Sequence, residues 1–266
     1  QGVAGAYAEE AAALFFGEAA ERRSAPTWRS LFELLVAGKA DYIVVPIENN
    51  STGSINAVYD LLAEYGAYVV GEQTVKVEHC LCALPGTVLE DITDVYSHEQ
   101  GFFQSEDFLT RHEGWKQNAV LNTAAAAQLV AVSGVKSKAA ICSRRAAQLF
   151  GLEVLQEHIN TSADNYTRFF VVAPTMELRL ECGKLSLMFT LPHEPGTLNN
   201  VLGILAAHQM NMLRLESRPM PGEGWEYRFF VDVEGDLRSD ALNTVLFELV
   251  ENTLTLRILG NYPKGA

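Results

Sequence analysis

The chain has 266 residues, 48% hydrophobic and 20% charged, an ordinary globular composition at a length that exceeds what one core usually organises, so about two domains are expected. Its formal net charge of -13, with no visible cluster of Lys and Arg, argues against a nucleic-acid or anionic-membrane surface, and no apolar run approaches the ~20 residues of a membrane helix. The expectation is a cytoplasmic protein with a small-molecule partner, no nucleic acid and no membrane. No basic signal sequence precedes Gln1, and the absence of an initiator Met reads as a fragment or a processed product with its first strand partly missing.

Apolar spacing predicts a helix over 8–17, a strand over 42–47, a helix over 55–65 and a strand over 68–70. An apolar strand at 80–84 is followed by a strand at 94–96, a helix at 101–111, an Ala-rich helix at 123–133, a strand at 139–142, a helix at 143–150 and a strand at 168–173. This is an α/β layout. Its order suggests two lobes, about 1–78 with 164–176 and about 79–163, with a cleft between them. Residues 174–183 mix Pro, charge and Gly and read as a linker. The pattern then restarts as strand 185–191, helix 198–208, strands 211–217 and 227–234, helix 240–252 and strand 254–262. That is a ferredoxin-like βαββαβ unit over 184–266, a topology too widely used to name a function.

Cys80, Cys82, Cys142 and Cys182 are scattered and mostly in apolar runs, which fits buried thiols better than a disulfide framework. His79 beside Cys80 and Cys82 invites a metal reading, but no second ligand cluster accompanies it, so no metal is expected.

Four places share one grammar, a small or polar turn leading into a helix: residues 2–8 with Gly5, 49–54 with Asn49 and Ser51, 97–100 with Ser97, His98 and Gln100, and 122–124 with Thr123 and Ala124. Each such helix start offers unpaired N–H groups and a positive dipole end, an anion site if several converge; the plainer reading is that each is only capped. Glu48 follows an apolar strand, where open α/β sheets bind ligands, and is either a substrate contact or an interlobe or capping carboxylate. His98 could titrate near neutrality, though a lone His is more often structural. Asn165-Tyr166-Thr167-Arg168-Phe169 brings a carboxamide, a hydroxyl and a guanidinium to the head of an apolar run, which alone reads as a strand edge.

Taken together, residues 2–9, 46–53 with Ile47-Glu48-Asn49, Ser97-His98-Glu99-Gln100, Asn122-Thr123-Ala124 and 165–169 occur in the order found in prephenate dehydratases, which the chain resembles over residues 1–176. The resemblance implies a two-lobed fold like type II periplasmic binding proteins, with the active site in the cleft. It makes Thr167 central to catalysis, with Arg168 and Glu48 beside it. Substrate contacts are implied at Gly5, Asn49, Ser51, Ser97, His98, Gln100, Thr123, Ala124, Asn165 and Phe169. Ala8 departs from the Ser often found there, removing one expected hydroxyl. The implied reaction converts prephenate to phenylpyruvate with loss of carbon dioxide and water, and needs no cofactor because aromatisation drives it. Thr167 would address the leaving hydroxyl, with Arg168 and helix starts holding the retained carboxylate; whether Thr167 or Glu48 supplies the proton stays open.

Leu215-Glu216-Ser217-Arg218-Pro219 reproduces the Glu-Ser-Arg-Pro motif of phenylalanine-binding ACT domains, and Pro195-Gly196-Thr197-Leu198-Asn199 aligns with their Gly-Ala-Leu-Val motif while keeping only Gly196 and Leu198. This resemblance implies L-phenylalanine as a feedback effector at Gly196, Thr197, Leu198, Asn199, Glu216, Ser217, Arg218 and Pro219, and a homodimer or homotetramer through the ACT domains. The plainer readings are a helix start and a strand exit. Arogenate dehydration and a non-catalytic amino-acid-sensing binder are the competing functions. A chorismate mutase domain upstream is compatible with the missing start, although nothing in these residues resembles its all-helical pattern.

Overall fold

The computed structural model describes residues 1–177, 182–220 and 226–265; part of the predicted linker, 178–181, and part of the predicted ACT unit, 221–225 and 266, lie outside the described residues. Among the described residues thirteen strands form three sheets, accompanied by nine α-helices. The chain divides into two compact units, one of Gln1–Leu31, Glu48–Gly53 and Thr74–Phe169, the other of Phe32–Ile47, Ser54–Gln73 and Phe170–Ala266.

In the first unit, α1 (Tyr7–Phe16) precedes a five-stranded sheet of order β6 (Lys116–Ala119), β5 (Asp94–Ser97), β7 (Lys138–Cys142), β4 (Cys80–Ala83), β8 (Glu153–Gln156). β5 runs parallel to β6 and β7, and β4 antiparallel to β7 and β8. The pleat sends Cys80 and Cys82 to one face and Leu81 and Ala83 to the other. On the first face Ala124, Ala127 and Val130 of α6 (Thr123–Ser133) and Ala146 of α7 (Arg144–Leu149) pack with Cys142. On the second, Phe108 and Leu109 of α5 (Glu106–Thr110) cover Leu81, Val95 and Ile141. Ile141 is fully buried, which stabilises by roughly 1.5–3 kcal/mol.

The predicted helix at 101–111 is two helices, α4 (Glu99–Phe103) and α5. Ser105 leaves helical geometry at φ -121°, ψ 23°, and Glu106 and Asp107 favour a fresh N-terminus behind it. Gln104 therefore sits at a helix end with its side chain free to turn inward.

In the second unit, β11 (Met212–Pro219), β12 (Tyr227–Glu234), β10 (Lys184–Thr190) and β13 (Thr255–Tyr262) form an antiparallel sheet in that order, with α8 (Thr197–Ala207) and α9 (Asp240–Glu251), which is the predicted βαββαβ unit. Leu185, Leu187, Phe189, Val201, Leu205, Val231, Val233, Leu242, Val245 and Leu249 form its core. Also buried in this unit is Lys184, whose Nζ is 2.6 Å from Glu72 Oε2 and 3.2 Å from Asp232 Oδ2. A Cβ at Gly260 would collide with the Val69 carbonyl, so only glycine permits that backbone approach.

A further sheet, β2 (Gly53–Ser54), β1 (Ile43–Asn49), β9 (Tyr166–Ala173), β3 (Tyr68–Lys76), has strands that belong partly to each unit. It is flanked in sequence by α2 (Trp28–Val36) and α3 (Asn56–Tyr65). Among the described residues, no helix is long and apolar enough to cross a membrane.

Candidate active site

Asn49 ends β1 and is 5% exposed, so its carboxamide must be satisfied within the protein. Its Oδ1 accepts from Ser51 N at 3.0 Å, Thr52 N at 3.1 Å and Ser51 Oγ at 2.6 Å, which folds the turn after β1 around it. Its Nδ2 lies 2.7 Å from Asn165 Oδ1, 3.0 Å from the Tyr166 carbonyl and 3.0 Å from Thr167 Oγ1. Two hydrogens are shared among three acceptors. Asn165, 2% exposed, is fixed in turn because its carbonyl accepts from Val77 N at 2.7 Å. Asn50 adds two backbone-directed contacts, its N–H donating to the Tyr166 carbonyl and its Oδ1 accepting from Tyr166 N. The start of β9 is thus laced to the end of β1, and Thr167 accepts a hydrogen bond while keeping a hydrogen to donate.

Beside this hub, Arg168 Nη1 is 3.4 Å from Glu48 Oε2, each side chain about one-third exposed. Phe169 is buried. Gln104 and His79, which lie outside those motifs, and Tyr7, which lies within residues 2–9, continue the network: Gln104 Nε2 donates to Ser51 Oγ at 3.3 Å, His79 Nε2 is 2.9 Å from Gln104 Oε1, and the Tyr7 hydroxyl is 3.3 Å from His79 Nδ1 and 2.9 Å from the Glu78 carbonyl. His79 is 2% exposed, and burial lowers its pKa more than the Gln104 contact raises it. Burial likewise holds the Tyr7 phenol well above its ordinary range. The sequence signal for His79 was its place beside Cys80 and Cys82, where a metal reading is set aside for want of a second ligand cluster; burial pushes the Cys80 thiol up to about 11, and Cys80, Cys82 and Cys142 are buried and free.

The remaining predicted contacts divide. A Cβ at Gly2 would stand 3.2 Å from Asn122 Nδ2, one at Gly101 would meet Thr123 Cγ2 at 3.4 Å, and one at Gly5 would stand 3.0 Å from Ala146 Cα. The starts of α1, α4, α6 and α7 are therefore neighbours. Asn122 accepts from Ala125 N and Ser143 from Ala146 N, so side-chain caps and the gathering coexist. Ser97 donates to the Ile141 carbonyl at 2.9 Å, and His98 Nδ1 accepts from Gln100 N at 3.1 Å, which makes His98 the cap of α4. Thr123 opens α6, Ala124 is buried against the sheet, and Gln100 is exposed. A surface cavity of about 390 Å³ lined by Asp107, Phe108, Arg111, His158 and Thr161 shares none of the residues around Thr167.

In the second unit, alternate residues of β11 face opposite ways. Arg218 makes a two-pronged pair with Asp60 at 2.7 and 3.1 Å, and Asp60 holds the guanidinium pKa above its usual value. Glu216 accepts from Ser54 Oγ at 2.5 Å, and Arg214 donates to Ser54 Oγ at 3.0 Å while its guanidinium lies 4.6 Å from the centre of the Tyr59 ring. Ser217 and Pro219 are exposed on the other face with Leu213 and Leu215. Gly196 caps α8 with a left-handed φ of 88°, Thr197 Oγ1 donates to the Pro192 and Glu194 carbonyls, Leu198 joins the core, and Asn199 is exposed.

The family model for prephenate dehydratase matches residues 1–177, and that for the ACT domain residues 185–251. A bifunctional chorismate mutase/prephenate dehydratase of Enterobacter agglomerans is 40% identical over 228 residues, 85% of this chain and 59% of that protein. The chain thus spans about three-fifths of the length of the first curated relatives it matches. Plant relatives include arogenate dehydratases of Arabidopsis thaliana. Among solved structures, a prephenate dehydratase from Arthrobacter aurescens in complex with L-Phe superposes with a TM-score of 0.90 at 29% identity, covering 99% of this chain and 88% of that one. A protein described as a novel type of quorum quenching acylase also gives 0.90, at 31% identity over 99% of this chain and 96% of its own. With both matched segments carried in order, the chain belongs to the prephenate dehydratase family, with its mixed α/β, periplasmic-binding-protein-like fold and a C-terminal ACT domain.

Proposed function

We propose that the chain converts prephenate to phenylpyruvate, carbon dioxide and water. The observation that carries this function is the Asn49 carboxamide donating to Thr167 Oγ1, which leaves the Thr167 hydrogen for a ligand, beside the Arg168–Glu48 pair. In the reaction the bond from the ring to its carboxylate breaks, and that electron pair enters the ring as it becomes aromatic. The ring C–O bond breaks with it, and the departing hydroxide leaves as water once it gains a proton. A threonine hydroxyl is too weak an acid to ionise, so Thr167 donates a hydrogen bond to the leaving oxygen or relays a proton to it. Arg168, steadied by Glu48, and the gathered helix starts hold the retained carboxylate. Gly5, Thr123, Ala124 and Gln100 contribute backbone at those starts, and Ser97 and His98 shape the turn before α4. No cofactor takes part.

Thr167→Val keeps the shape and removes the hydroxyl. Turnover of prephenate, followed as phenylpyruvate absorbance in base, is expected to fall about 100-fold or more, within the range of a positioned proton donor. Full turnover by a folded variant would sink the assignment. Arogenate differs from prephenate only in an amino group for the side-chain keto oxygen, and the same assay with arogenate ranks the two. If neither yields product above the acid-catalysed background, a non-catalytic binder is favoured.

The ACT domain would bind L-phenylalanine as a feedback inhibitor, supported by the motif residues and by the L-Phe complex of the Arthrobacter relative. The start of α8 at Gly196–Asn199 suits the amino acid's carboxylate, and Ser217 and Pro219 lie on the open face of β11. Glu216 and Arg218 would act from behind that face. The exposed edge of β11, with Leu213 and Leu215, supports pairing of ACT domains into a homodimer or homotetramer. Three buried free thiols and an acidic surface charge fit a cytoplasmic enzyme.

A further inference from the structure

The hydrogen bonds around Thr167 continue inward to a buried imidazole, and the direction of each is fixed by the one before it. Two backbone amides, Ser51 N–H and Thr52 N–H, donate to Asn49 Oδ1, so that atom is an acceptor. Ser51 Oγ lies 2.6 Å from the same oxygen and must give it its only hydrogen. Having given it, Ser51 Oγ can only accept from Gln104, which turns the amide nitrogen of Gln104 toward Ser51 and its oxygen toward His79. His79 Nε2, 2.9 Å from that oxygen, must then carry a proton. In the neutral ring this leaves Nδ1 bare as an acceptor; the Tyr7 hydroxyl faces it at 3.3 Å and the Glu78 carbonyl at 2.9 Å, so its one hydrogen is shared between the two. The ring is also clamped from its backbone, where His79 N donates to Asn160 Oδ1 at 2.6 Å and its carbonyl accepts from Ile159 N at 3.1 Å. At the other end, Asn49 Nδ2 donates to Thr167 Oγ1.

We infer that His79 is a positioning residue for the dehydration: held as its neutral Nε2–H tautomer, it heads a one-way donor chain through Gln104, Ser51 and Asn49 that presents Thr167 with its oxygen accepting and its hydrogen turned to the substrate, a role that rests on the dehydratase function proposed above. His79 touches no reacting atom. Its share is to fix which way Gln104 points, and through Gln104 which way the hydroxyl of Ser51 and the amide of Asn49 are polarised.

Two measurements test this. In protein labelled with 15N-histidine, the His79 ring, assigned by its loss from the His79→Gln spectrum, should show a protonated Nε2 and an unprotonated Nδ1 at neutral pH. A proton on Nδ1, alone or with one on Nε2, overturns the inference whatever the protein catalyses. In turnover, His79→Leu should lower kcat about tenfold with little change in KM, the scale of one lost orienting hydrogen bond. His79→Gln, whose Nε2–H₂ can replace the imidazole donor, should stay within about threefold of wild type. Wild-type kcat in His79→Leu, or a His79→Gln as impaired as His79→Leu, overturns the role. If His79→Leu does not fold, Gln104→Glu replaces it: the carboxylate can accept from His79 but cannot donate to Ser51, so the same tenfold loss is expected, and full activity overturns the chain. A wild type inert toward prephenate sinks the proposed function, whereas the wrong tautomer in an active enzyme sinks the role of His79 alone.

Discussion

Asn49 is the residue on which the candidate site turns, because its two ends do opposite work: the oxygen gathers the Ser51–Thr52 turn and the nitrogen gathers the start of β9. Asn49→Asp keeps the shape and the acceptor but sets a carboxylate against Asn165 Oδ1, the Tyr166 carbonyl and Thr167 Oγ1. A loss of about 1–3 kcal/mol in unfolding free energy is expected from buried acceptors left without their donor, together with a fall in kcat. Unchanged denaturant midpoint and kcat would sink the hub. His79 gives a pH signature of its own. Its folded pKa lies below the 6.5 of the free side chain, so between those values the unfolded chain binds the extra proton. Stability from His79 is therefore complete above about 6.5 and is lost as pH falls. The melting temperature of wild type should drop more steeply from about pH 7.5 to about pH 5.5 than that of His79→Gln. Parallel curves would mean that the imidazole is not held neutral by burial. Glu48, Thr167 and Arg168 were legible from short motifs. His79 and Gln104 were not, because a buried histidine just before a strand and a glutamine after two phenylalanines carry no local signal of what they face across the fold.

At the scale of elements, the strands with clean alternation or continuous apolar runs were legible within a residue or two, as at β1, β7 and β12, and the Ala-rich α6 was read at 123–133. The edge strands β6 and β8 were missed. Lys116-Gln117-Asn118-Ala119 is mostly exposed, and polar edge strands show no burial period to read. The break between α4 and α5 was missed because neither Gln104 nor Ser105 is a helix breaker of the Gly or Pro kind. β11 shows what an element adds to a motif. Its inward residues Arg214, Glu216 and Arg218 bind Ser54, Tyr59 and Asp60, so they differ sharply in weight with depth. Arg218 and Asp60 are 22% and 46% exposed, and Arg218→Met should change stability by no more than about 1 kcal/mol despite the two-pronged geometry. Arg214 is 8% exposed, and Arg214→Met should cost about 3 kcal/mol by leaving Ser54 and Glu216 without it. Urea melts of the two variants decide this, and equal losses would refute the depth argument.

For the whole molecule, the question is whether a ligand on the ACT domain can reach chemistry at Thr167. The chain passes between the two compact units five times, once inside α2 at Leu31 to Phe32 and four times inside strands: β1 at Ile47 to Glu48, β2 at Gly53 to Ser54, β3 at Gln73 to Thr74 and β9 at Phe169 to Phe170. Asn49 and Thr167 each lie within three residues of such a passage, so a shift in either strand is carried covalently to the candidate site. Coupling of this kind is reciprocal: if L-phenylalanine weakens prephenate binding by some factor, prephenate must weaken L-phenylalanine binding by the same factor. Thr167→Val, which binds substrate but should scarcely consume it, makes both halves measurable by calorimetry. L-phenylalanine is expected to raise the prephenate Kd by roughly 5- to 150-fold, the usual span of such couplings, and saturating prephenate to raise the L-phenylalanine Kd equally. Sedimentation of the same samples reports whether assembly changes with the ligand. If L-phenylalanine binds with one Kd whether or not prephenate is present, the ACT domain does not regulate this site through binding, and the proposed feedback fails even where catalysis stands.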